Sequence, residues 1–533
     1  MPHRRLRAER RLRARRDGRP RRMGGEARLR RAADRHRPCR GAQGLLLPAQ
    51  HVADVERDLR QARRGTAGAL RRGLRRARRL PRGVLRAVRA ARRRLGPARG
   101  RLRHQALRRG LVRLTCHRPD GIAMSTTLRG TGGAVAEQPL LIYVNVPFCN
   151  SKCHFCDWVT EVPLADLRLT PDSSPRQRYI AALVQQIETH APVLTGFGYR
   201  PEIMYWGGGT ASILSIDEIE AVAGALSSRF DMSGLTEATI EGSPESLDPD
   251  KLKLFRAAGF NRISIGVQAF DDARLRRIGR VHSAEQAVRA VEMAAEAGFD
   301  NINIDLIVGF PGQEVDEVSH MIQRAVTLPV NHFSVYPYRP TNGTVMRKQV
   351  RRGNSEIDVD EQLRSYAYAR DLLAEHGFDE YATAYFGGPR CESDEVYYKL
   401  TMDWIGFGSG ANSLIGTRFL LNERGALHRF SAAPQRFDSD IPASSPHLTR
   451  HFLAQALTTV DGMDARTFQQ RTGRSLRAAC EEPAVRRMLE QINRRGRLII
   501  DSRGIRLHRD DMASTYITMN SVDLYAATEQ IGG

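Results

Sequence analysis

Three cysteines stand close together in the stretch FCNSKCHFCDW, which runs from Phe148 to Trp158. They are Cys149, Cys153 and Cys156, in the spacing C-x3-C-x2-C. A structural zinc site usually needs four ligands, often as two C-x2-C pairs, and the sequence contains no second pair. A [4Fe–4S] cluster is normally held by four thiolates, so three would leave one iron with an open position. Because free cysteines seldom crowd an exposed loop, the spacing favours such a cluster over incidental thiols.

Six β-rich runs alternate with helical stretches between residues 137 and 340. In the stretches between the runs, apolar residues recur at intervals of three and four positions, as on one face of a helix. Most of these stretches are preceded by Ser, Asp or Pro, which are typical of helix starts. This alternation predicts an α/β fold, a partial (β/α)6 relative of the TIM barrel with a parallel sheet. Chemistry in such folds sits on the loops after the strands, and the cysteines follow the first run. The six runs are 140–146, 202–206, 238–242, 262–268, 301–309 and 332–338.

The chain after this core is more mixed. We expect the core to span 137–345 and an extension to span 346–440, with a helix at about 358–376 and the Gly-rich DWIGFGSGANS. Residues 441–533 are helical and include RRMLEQINRRGRLIIDSRGIRLHRD, a basic helix and hairpin typical of a winged helix. Phosphate-binding surfaces need a sustained basic face, and this domain also carries many acidic residues. We therefore expect no nucleic-acid partner.

The positive charge of the chain is confined to its first segment. Residues 1–123 contain 40 Arg, no Lys and 8 acidic residues, whereas the rest has 43 basic and 51 acidic residues. Such a segment cannot bury enough apolar surface to offset its ordering entropy. A basic tail, a transit peptide and a start placed too far upstream remain open. Arg without Lys favours the last, with a true start at Met124 and a flexible leader over 124–136.

The number and placement of the cysteines indicate the redox state of the cellular compartment. From Met124 onward there are five unevenly placed cysteines, no signal-peptide pattern and no apolar run long enough to span a bilayer. This usage favours a reducing compartment over a disulfide framework. We expect a cytoplasmic protein without a membrane partner.

The stretch YVNVPFCNSKCHFCDW resembles the signature of radical S-adenosylmethionine (SAM) enzymes. More narrowly, it is similar to the branch of oxygen-independent coproporphyrinogen III oxidase. The resemblance implies that the open iron chelates SAM, and that one electron cleaves SAM to methionine and a 5′-deoxyadenosyl radical. That radical takes a hydrogen atom from a small-molecule substrate. The resemblance also implies a reductant such as flavodoxin or ferredoxin.

The resemblance covers nearly all of 137–533 and implies two SAM sites side by side. Taken singly, each matching residue is about as well explained by helix capping or ordinary packing; their order and spacing together favour SAM contacts. YWGGGTAS (205–212) is similar to the family's GGGTP stretch, where glycines admit the methionine part of SAM. The implied first site has Gly208 and Glu241, and Tyr143 matches an aromatic position beside the nucleotide. The implied second site has Phe155, which also flanks the nucleotide, with Gly209, Thr210, Gln268, Arg280 and Asp305.

Departures from the family pattern bear on the substrate. Trp158 stands where the oxidase has a further cysteine, Asn145 where it has a histidine, and Ala211 where the family has a proline. The region SDEVYYKLTMDWIGFGSGANS lacks the His-Asn-x-x-Tyr-Trp stretch of the haem-chaperone branch. With the radical core kept, the sequence resembles class C radical SAM methyltransferases and cyclopropanases. We therefore expect a second SAM to donate a methyl or methylene group to an sp2 carbon of a natural-product intermediate.

Two alternatives stay open. One is oxidative decarboxylation of coproporphyrinogen III, and the other is a haem-binding protein like the haem chaperones. Candidates for the substrate side are Tyr336, Arg339, Trp404 and the loop 385–393.

Overall fold

The computed structural model describes residues 137–158, 160–162, 174–339, 341–353 and 355–519. The predictions for the Arg-rich segment 1–123 and the leader 124–136 lie outside these residues and stay predictions.

The six β-rich runs form six consecutive parallel strands, each paired with the next. Their side chains are mostly buried, and all seven residues of the fourth strand are buried, as expected of a parallel sheet covered by helices. The predicted α/β fold is confirmed. The strands are β1 (Gln138–Val146), β2 (Tyr199–Gly208), β3 (Glu237–Gly242), β4 (Arg262–Gln268), β5 (Asn301–Val308) and β6 (His332–Pro337).

Most helices between these strands begin at a Ser or Asp whose side chain caps them, and the exception is the helix after Glu314, which makes no such bond. Ser215 and Ser283 each form a capping box with the residue three positions on, and Asp248 accepts from two backbone N–H groups. These caps explain why the Ser and Asp positions marked the helix starts. The helices are α1 (Pro175–Gly196), α2 (Ile216–Arg229), α3 (Pro249–Ala257), α4 (Asp272–Arg277), α5 (Ala284–Glu296) and α6 (Val315–Ala325).

The segment after the core extends the sheet at both of its edges, an arrangement that the sequence pattern did not predict. A later strand, β9, pairs in parallel with β1, and β8 pairs antiparallel with β6, which gives a sheet of twelve strands. The sheet order is β12-β11-β10-β9-β1-β2-β3-β4-β5-β6-β8-β7. The added elements are α7 (Val345–Arg351), α8 (Val359–Glu375), β7 (Glu380–Ala382), β8 (Tyr385–Gly387), α9 (Glu392–Lys399), β9 (Asp403–Phe407), β10 (Asn412–Ile415), β11 (Arg418–Leu421), α10 (Leu427–Ala432) and β12 (Ser439–Pro442).

The remaining elements are mainly helical and include the predicted hairpin. Strands β14 and β15 form that hairpin, and β13 pairs with β15. These helices share one hydrophobic cluster with Leu141, Ile203 and Trp404 of the large sheet. The elements are α11 (Pro446–Ala456), β13 (Met463–Asp464), α12 (Ala465–Thr472), α13 (Leu476–Cys480), α14 (Pro483–Asn493), β14 (Leu498–Ile500), β15 (Gly504–Leu507) and α15 (Met512–Met519).

Within the described ranges, none of the helices combines the length and the apolar character needed to cross a membrane. The predicted domain boundaries stay predictions.

Candidate functional site

The loop with the three cysteines leaves the end of β1 and is anchored to three other segments. The backbone N–H of Cys149 donates to the carbonyl of Glu161 at 3.1 Å. The N–H of His154 donates to the carbonyl of Ile278 at 2.8 Å, and the carbonyl of His154 accepts from Met346 N at 3.0 Å. The loop is therefore fixed by the chain after α4 and by α7, as well as by its own strand.

Each cysteine sulfur faces a hydrogen-bond donor or a cation. The hydroxyl of Thr210 donates to Cys149 Sγ at 3.6 Å, and Arg280 Nη1 donates to Cys153 Sγ at 3.5 Å. Lys152 Nζ lies 4.0 Å from Cys156 Sγ. Burial raises the pKa of Cys149, and it raises the pKa of Cys156 to about 11. Such donors favour sulfur in its anionic, ligand-bound form over the free thiol that burial alone would leave.

The three cysteines of this loop are candidate ligands for a cluster of several iron atoms. Across the part of the chain that the structure describes, no three His, Cys, Asp or Glu side chains are arranged to hold one metal ion. A [4Fe–4S] cluster does not need such a common point, because each thiolate binds a different iron atom. The three free cysteines on one anchored loop therefore suit a cluster.

The Gly-rich stretch after β2 packs against the chain itself. A Cβ on Gly207 would lie 2.7 Å from Glu241 Cδ, and one on Gly208 would lie 2.0 Å from Asn145 Oδ1. A Cβ on Gly209 would lie 2.6 Å from the carbonyl oxygen of Phe148. The sequence suggested that these glycines make room for SAM. The structure shows that they also let the ends of three strands approach one another.

Glu241 is the acidic group at the centre of this stretch. Its carboxylate accepts from the hydroxyl of Tyr205 at 2.7 Å and from the backbone N–H of Gly208 at 3.1 Å. Burial, with a smaller contribution from Asp305, raises the pKa of Glu241 to about 7. Tyr143 stacks on the ring of Tyr205, with centroids 6.0 Å apart. Gly208 and Glu241 of the predicted first site therefore lie together, and Tyr143, which was predicted to flank the nucleotide, lies beside Tyr205.

Arg280 reaches from the segment after α4 to the end of β4. Its Nη2 donates at 2.6 Å both to Ser243 Oγ and to the carbonyl of Gly266. Gln268 lies just beyond a register shift in β4 and has a φ of +71°, a left-handed conformation that few residues other than glycine adopt. The bulge places Gln268 beside Gly266, where a Cβ would lie 3.0 Å from Gln268 Nε2.

Two predicted second-site residues lie in different surroundings. Asp305 accepts from Asn303 Nδ2 at 2.9 Å and from Ser264 Oγ at 3.4 Å, and burial raises its pKa. Phe155 packs against Phe310, with ring centroids 6.1 Å apart, at the edge of a small apolar cluster. Asp305 therefore belongs to the hydrogen-bonded interior, whereas the contacts of Phe155 in this structure are apolar.

Sequence reasoning missed two functional-site residues, Tyr205 and Ser243. Tyr205 opens the YWGGG stretch and bonds Glu241, and Ser243 lies two residues after Glu241 and bonds Arg280. Both stand next to residues that the family pattern marked. Tyr205 shares a face of β2 with Gly207, because alternate strand residues share a face, whereas Ser243 lies in the turn after β3 and carried no such signal.

A further polar region lies on the β6 side. The hydroxyl of Tyr336 lies 3.4 Å from that of Tyr385, which lies 3.1 Å from that of Tyr398 on α9. Asp394 precedes Tyr398 by one helical turn, so both project from the same face of α9. Burial raises the pKa of Asp394 to about 6. Tyr336 and the loop 385–393 were candidates for the substrate side, and both contribute to this region.

The other two substrate-side candidates have contacts elsewhere. Trp404 is buried in the second hydrophobic cluster and donates to Asn412 Oδ1 at 2.9 Å. The guanidinium of Arg339 lies over the ring of Tyr516, 5.3 Å from its centroid.

Comparisons with known proteins place these residues in a family context. Residues 143–325 match the family described as the Radical SAM superfamily. The chain is 30% identical over 345 residues to heme chaperone HemW of Bacillus subtilis, which covers 63% of this chain and 87% of that protein. It is 28% identical over 315 residues to oxygen-independent coproporphyrinogen III oxidase of Paracoccus denitrificans, covering 58% and 66%.

One solved structure shares the fold over most of the described chain. It is coproporphyrinogen III oxidase (HemN) of Escherichia coli, a radical SAM enzyme, with a TM-score of 0.59 and 24% identity. The match covers 72% of this chain and 90% of that one. It supports the predicted barrel architecture.

These relatives contradict the prediction of methylation or cyclopropanation and favour its tetrapyrrole alternatives. The structure supplies a physical reason for the error. Asn145 donates to the carbonyl of Ser409 at 2.7 Å and packs against Gly208, so it connects strand ends. Trp158 is 59% exposed. Asn145 therefore has a structural explanation, whereas nothing in the structure explains Trp158.

Proposed function

Since the chain belongs to the radical SAM superfamily, in the branch of heme chaperone HemW and coproporphyrinogen III oxidase, we propose that it is a radical SAM enzyme that oxidises a porphyrinogen. Its substrate is of the coproporphyrinogen class, and its reaction is the oxidative decarboxylation that the oxidase resemblance implies. One observation carries the proposal: the cysteine loop, the Gly-rich stretch, Glu241 and Arg280 meet at the ends of consecutive parallel strands.

The cluster would be held by Cys149, Cys153 and Cys156. When bound, the cluster and SAM supply a 5′-deoxyadenosyl radical, with the electron delivered by a carrier such as flavodoxin or ferredoxin. The protein orients the sulfurs through donors at the loop, namely Thr210 for Cys149 and Arg280 for Cys153. Hydrogen bonds to ligand sulfurs are one of the means by which a protein adjusts the reduction potential of such a cluster.

SAM would be held by groups on two sides of this loop. Glu241 is oriented by Tyr205 and Gly208, so that it accepts hydrogen bonds from the ligand without rearranging. Arg280 Nη2 gives both of its hydrogens to Ser243 and Gly266, whereas its Nε has no partner among the described residues and remains as a donor for the ligand. The proposal keeps two SAM molecules, the second near Gln268 and Asp305. Equilibrium dialysis with labelled SAM measures this number directly as bound SAM per chain.

The substrate side is the polar region formed by β6, β8 and α9. The hydroxyls of Tyr336, Tyr385 and Tyr398 and the carboxyl of Asp394 offer acceptors for the pyrrole N–H groups of a porphyrinogen. Tyr336 lies on β6, which pairs in parallel with β5, the strand that carries Asp305. A tetrapyrrole bound there would lie next to the SAM site.

The test is anaerobic reconstitution of the full chain with iron and sulfide, followed by SAM, a reductant and coproporphyrinogen III. We expect 5′-deoxyadenosine and a decarboxylated porphyrinogen. Cys153→Ala should abolish cluster absorbance and both products. Cys480→Ala, which changes a partly buried cysteine on α13, is the matched control and should retain them. Formation of 5′-deoxyadenosine with no change in the porphyrinogen would contradict the oxidase proposal.

A second candidate is haem binding, favoured by the higher identity and fuller coverage of the heme chaperone relative. It predicts a Soret band that stays with the protein through gel filtration after haem is added. A retained band without porphyrinogen turnover would favour this candidate over the oxidase. Turnover without a retained band would favour the oxidase.

A further inference from the structure

A chain of polar contacts extends behind Arg280, away from the cysteine loop. Arg280 Nη2 donates to Ser243 Oγ at 2.6 Å, and Ser243 Oγ donates to Glu245 Oε2 at 2.5 Å. The same Glu245 oxygen lies 3.4 Å from His282 Nδ1. The side chain of His282 is fully buried, that of Glu245 is 16% exposed, and Ser243 is 3% exposed. These three residues therefore connect Arg280 to the interior rather than to solvent.

Both ring nitrogens of His282 face acceptors. Its Nε2 donates to the backbone carbonyl of Val267 at 3.1 Å, and its Nδ1 faces the Glu245 carboxylate. A carbonyl oxygen has no proton to give, so Nε2 carries a hydrogen. Arg280 and His282 lie on the same side of an extended segment, because Val281 between them points outward and is 58% exposed.

The charge on Glu245 explains how Ser243 is oriented. Burial would raise the pKa of Glu245, but His282, the charge of Arg280 and the Ser243 hydroxyl outweigh it and lower the pKa to about 2. Glu245 is therefore an acceptor at neutral pH. Ser243 has one hydroxyl hydrogen, and since it gives that hydrogen to Glu245, its lone pairs remain for Arg280 Nη2.

The same chain of contacts supports the bulge in β4. Arg280 bonds the carbonyl of Gly266 and His282 bonds that of Val267, the two carbonyls that precede Gln268. Gln268 has a φ of +71°, which costs free energy for a residue other than glycine and persists only where neighbours enforce it. The buried pair of Glu245 and His282 thus holds Arg280, through Ser243, and also holds the backbone before Gln268.

We propose that Ser243, Glu245 and His282 are positioning residues that hold Arg280 and Gln268 in the orientation needed to bind SAM. None of the three contacts a cysteine of the loop, and they act through Arg280 and the β4 bulge. Outer residues of this kind commonly change affinity or activity by about 10- to 100-fold when they are replaced. The inference rests on the proposed function only in that SAM binds beside Arg280.

The test measures the dissociation constant of SAM by equilibrium dialysis on cluster-loaded full-length protein. Ser243→Ala, Glu245→Gln and His282→Gln should each weaken SAM binding by about tenfold. Because the three residues act as one unit, the double variant E245Q/H282Q should have about the same dissociation constant for SAM as the single variant that binds SAM more weakly. It should not show the two fold-changes multiplied together. With saturating SAM, the rate of 5′-deoxyadenosine formation should recover, so that the KM for SAM changes more than kcat.

Two control variants separate positioning from general damage. Ser228→Ala removes a serine hydroxyl that donates to the carbonyl of Ala225 on α2 at 3.0 Å, in another part of the structure. Glu218→Gln removes a partly buried carboxylate that pairs with Arg176 on another face. Both should keep the wild-type affinity for SAM.

Unchanged affinity for SAM in the three variants would overturn the inference. Losses of SAM affinity that add up in the double variant, and that parallel a lower thermal unfolding midpoint, would also overturn it. If Ser243→Ala does not fold, Glu245→Gln carries the test, because it preserves volume. A wild-type protein that loads its cluster and binds no SAM would instead defeat the proposed function, which is a distinguishable result.

Discussion

Single residues in the Gly-rich stretch join three loops. Gly207 faces the Glu241 carboxylate, Gly208 the Asn145 side chain and Gly209 the backbone of Phe148. Since a side chain at any of these positions would push one loop away, the stretch couples the cysteine loop to the acidic group of the site. A family pattern that marks the glycines as ligand contacts describes only part of their role.

Gly208→Ala should destabilise the protein. The position has a φ of +107°, and a Cβ would lie 2.0 Å from Asn145 Oδ1. Backbone strain of this kind costs about 1–3 kcal/mol, and displacement of Asn145 adds to it. Urea unfolding checks the change, with Gly224→Ala as the control. Gly224 is an exposed glycine in α2 with no atom near its missing Cβ, so alanine there should stabilise by about 0.5–1 kcal/mol. A stable Gly208→Ala protein would show that Asn145 moves freely.

Glu241 should make the stability of the protein without SAM depend on pH. Its pKa is about 7 in the folded state and about 4.3 in an unfolded chain. The folded state therefore holds the proton more tightly, and this stabilisation is fully present below about pH 4.3 and lost as the pH rises through 7. Between pH 5 and 8 the free energy of unfolding should fall by about 2 kcal/mol relative to Glu241→Gln.

Urea unfolding of both proteins at pH 5, 6, 7 and 8 measures this difference. Glu292→Gln, at an exposed carboxylate on α5, should give a curve parallel to the wild type. Parallel curves for Glu241→Gln as well would mean that Glu241 is ionised throughout the range.

At this scale the sequence predicted the chemistry of the site better than its environment. The three cysteines could be recognised as ligands from the sequence alone, because they lie within one short stretch and their spacing is local. The meaning of Asn145 was not visible, because its partner Ser409 lies 264 residues further on. A substitution relative to a family pattern was therefore interpreted as a change of substrate, when it connects two strand ends.

The same contrast between local and distant information holds for whole elements. The six parallel strands and their helices follow from apolar periodicity and capping residues, which act within about ten positions. Strand β9 has only five residues, DWIGF, and pairs with β1 from far along the chain. Neither its length nor its composition distinguishes it from a loop, so its place in the sheet depends on tertiary packing.

Asp403, the first residue of β9, should be important for holding this strand. It accepts from Arg471 on α12, from Tyr199 at the start of β2, and from the N–H of Gly416. Asp403→Asn leaves the partly buried Arg471 without its counter-charge, and breaking such a pair costs about 3 kcal/mol. Chemical denaturation should show this loss. Asp510→Asn, which removes an exposed partner of Arg497, should leave the midpoint unchanged, and equal effects would refute a special role for Asp403.

For the whole molecule, the predicted start at Met124 can be tested directly. The first described strand begins at Gln138, fourteen residues after Met124. A variant that begins at Met124 should therefore load its cluster and unfold at the same temperature as the full chain. Mass spectrometry of the native protein should find no peptide from before Met124. Such peptides, or a lower thermal midpoint of the shorter variant, would show that the segment belongs to the working protein.

The position of β1 between β2 and β9 affects the order of events during synthesis. The cysteine loop follows Val146, but the second neighbour of its strand ends at Phe407. At the usual rates of translation, roughly 13–52 s pass between these two points. During that interval the thiols have left the ribosome, while the strand that positions them has one exposed edge. We therefore expect the cluster to be inserted only after β9 has been made and both neighbours of β1 are present.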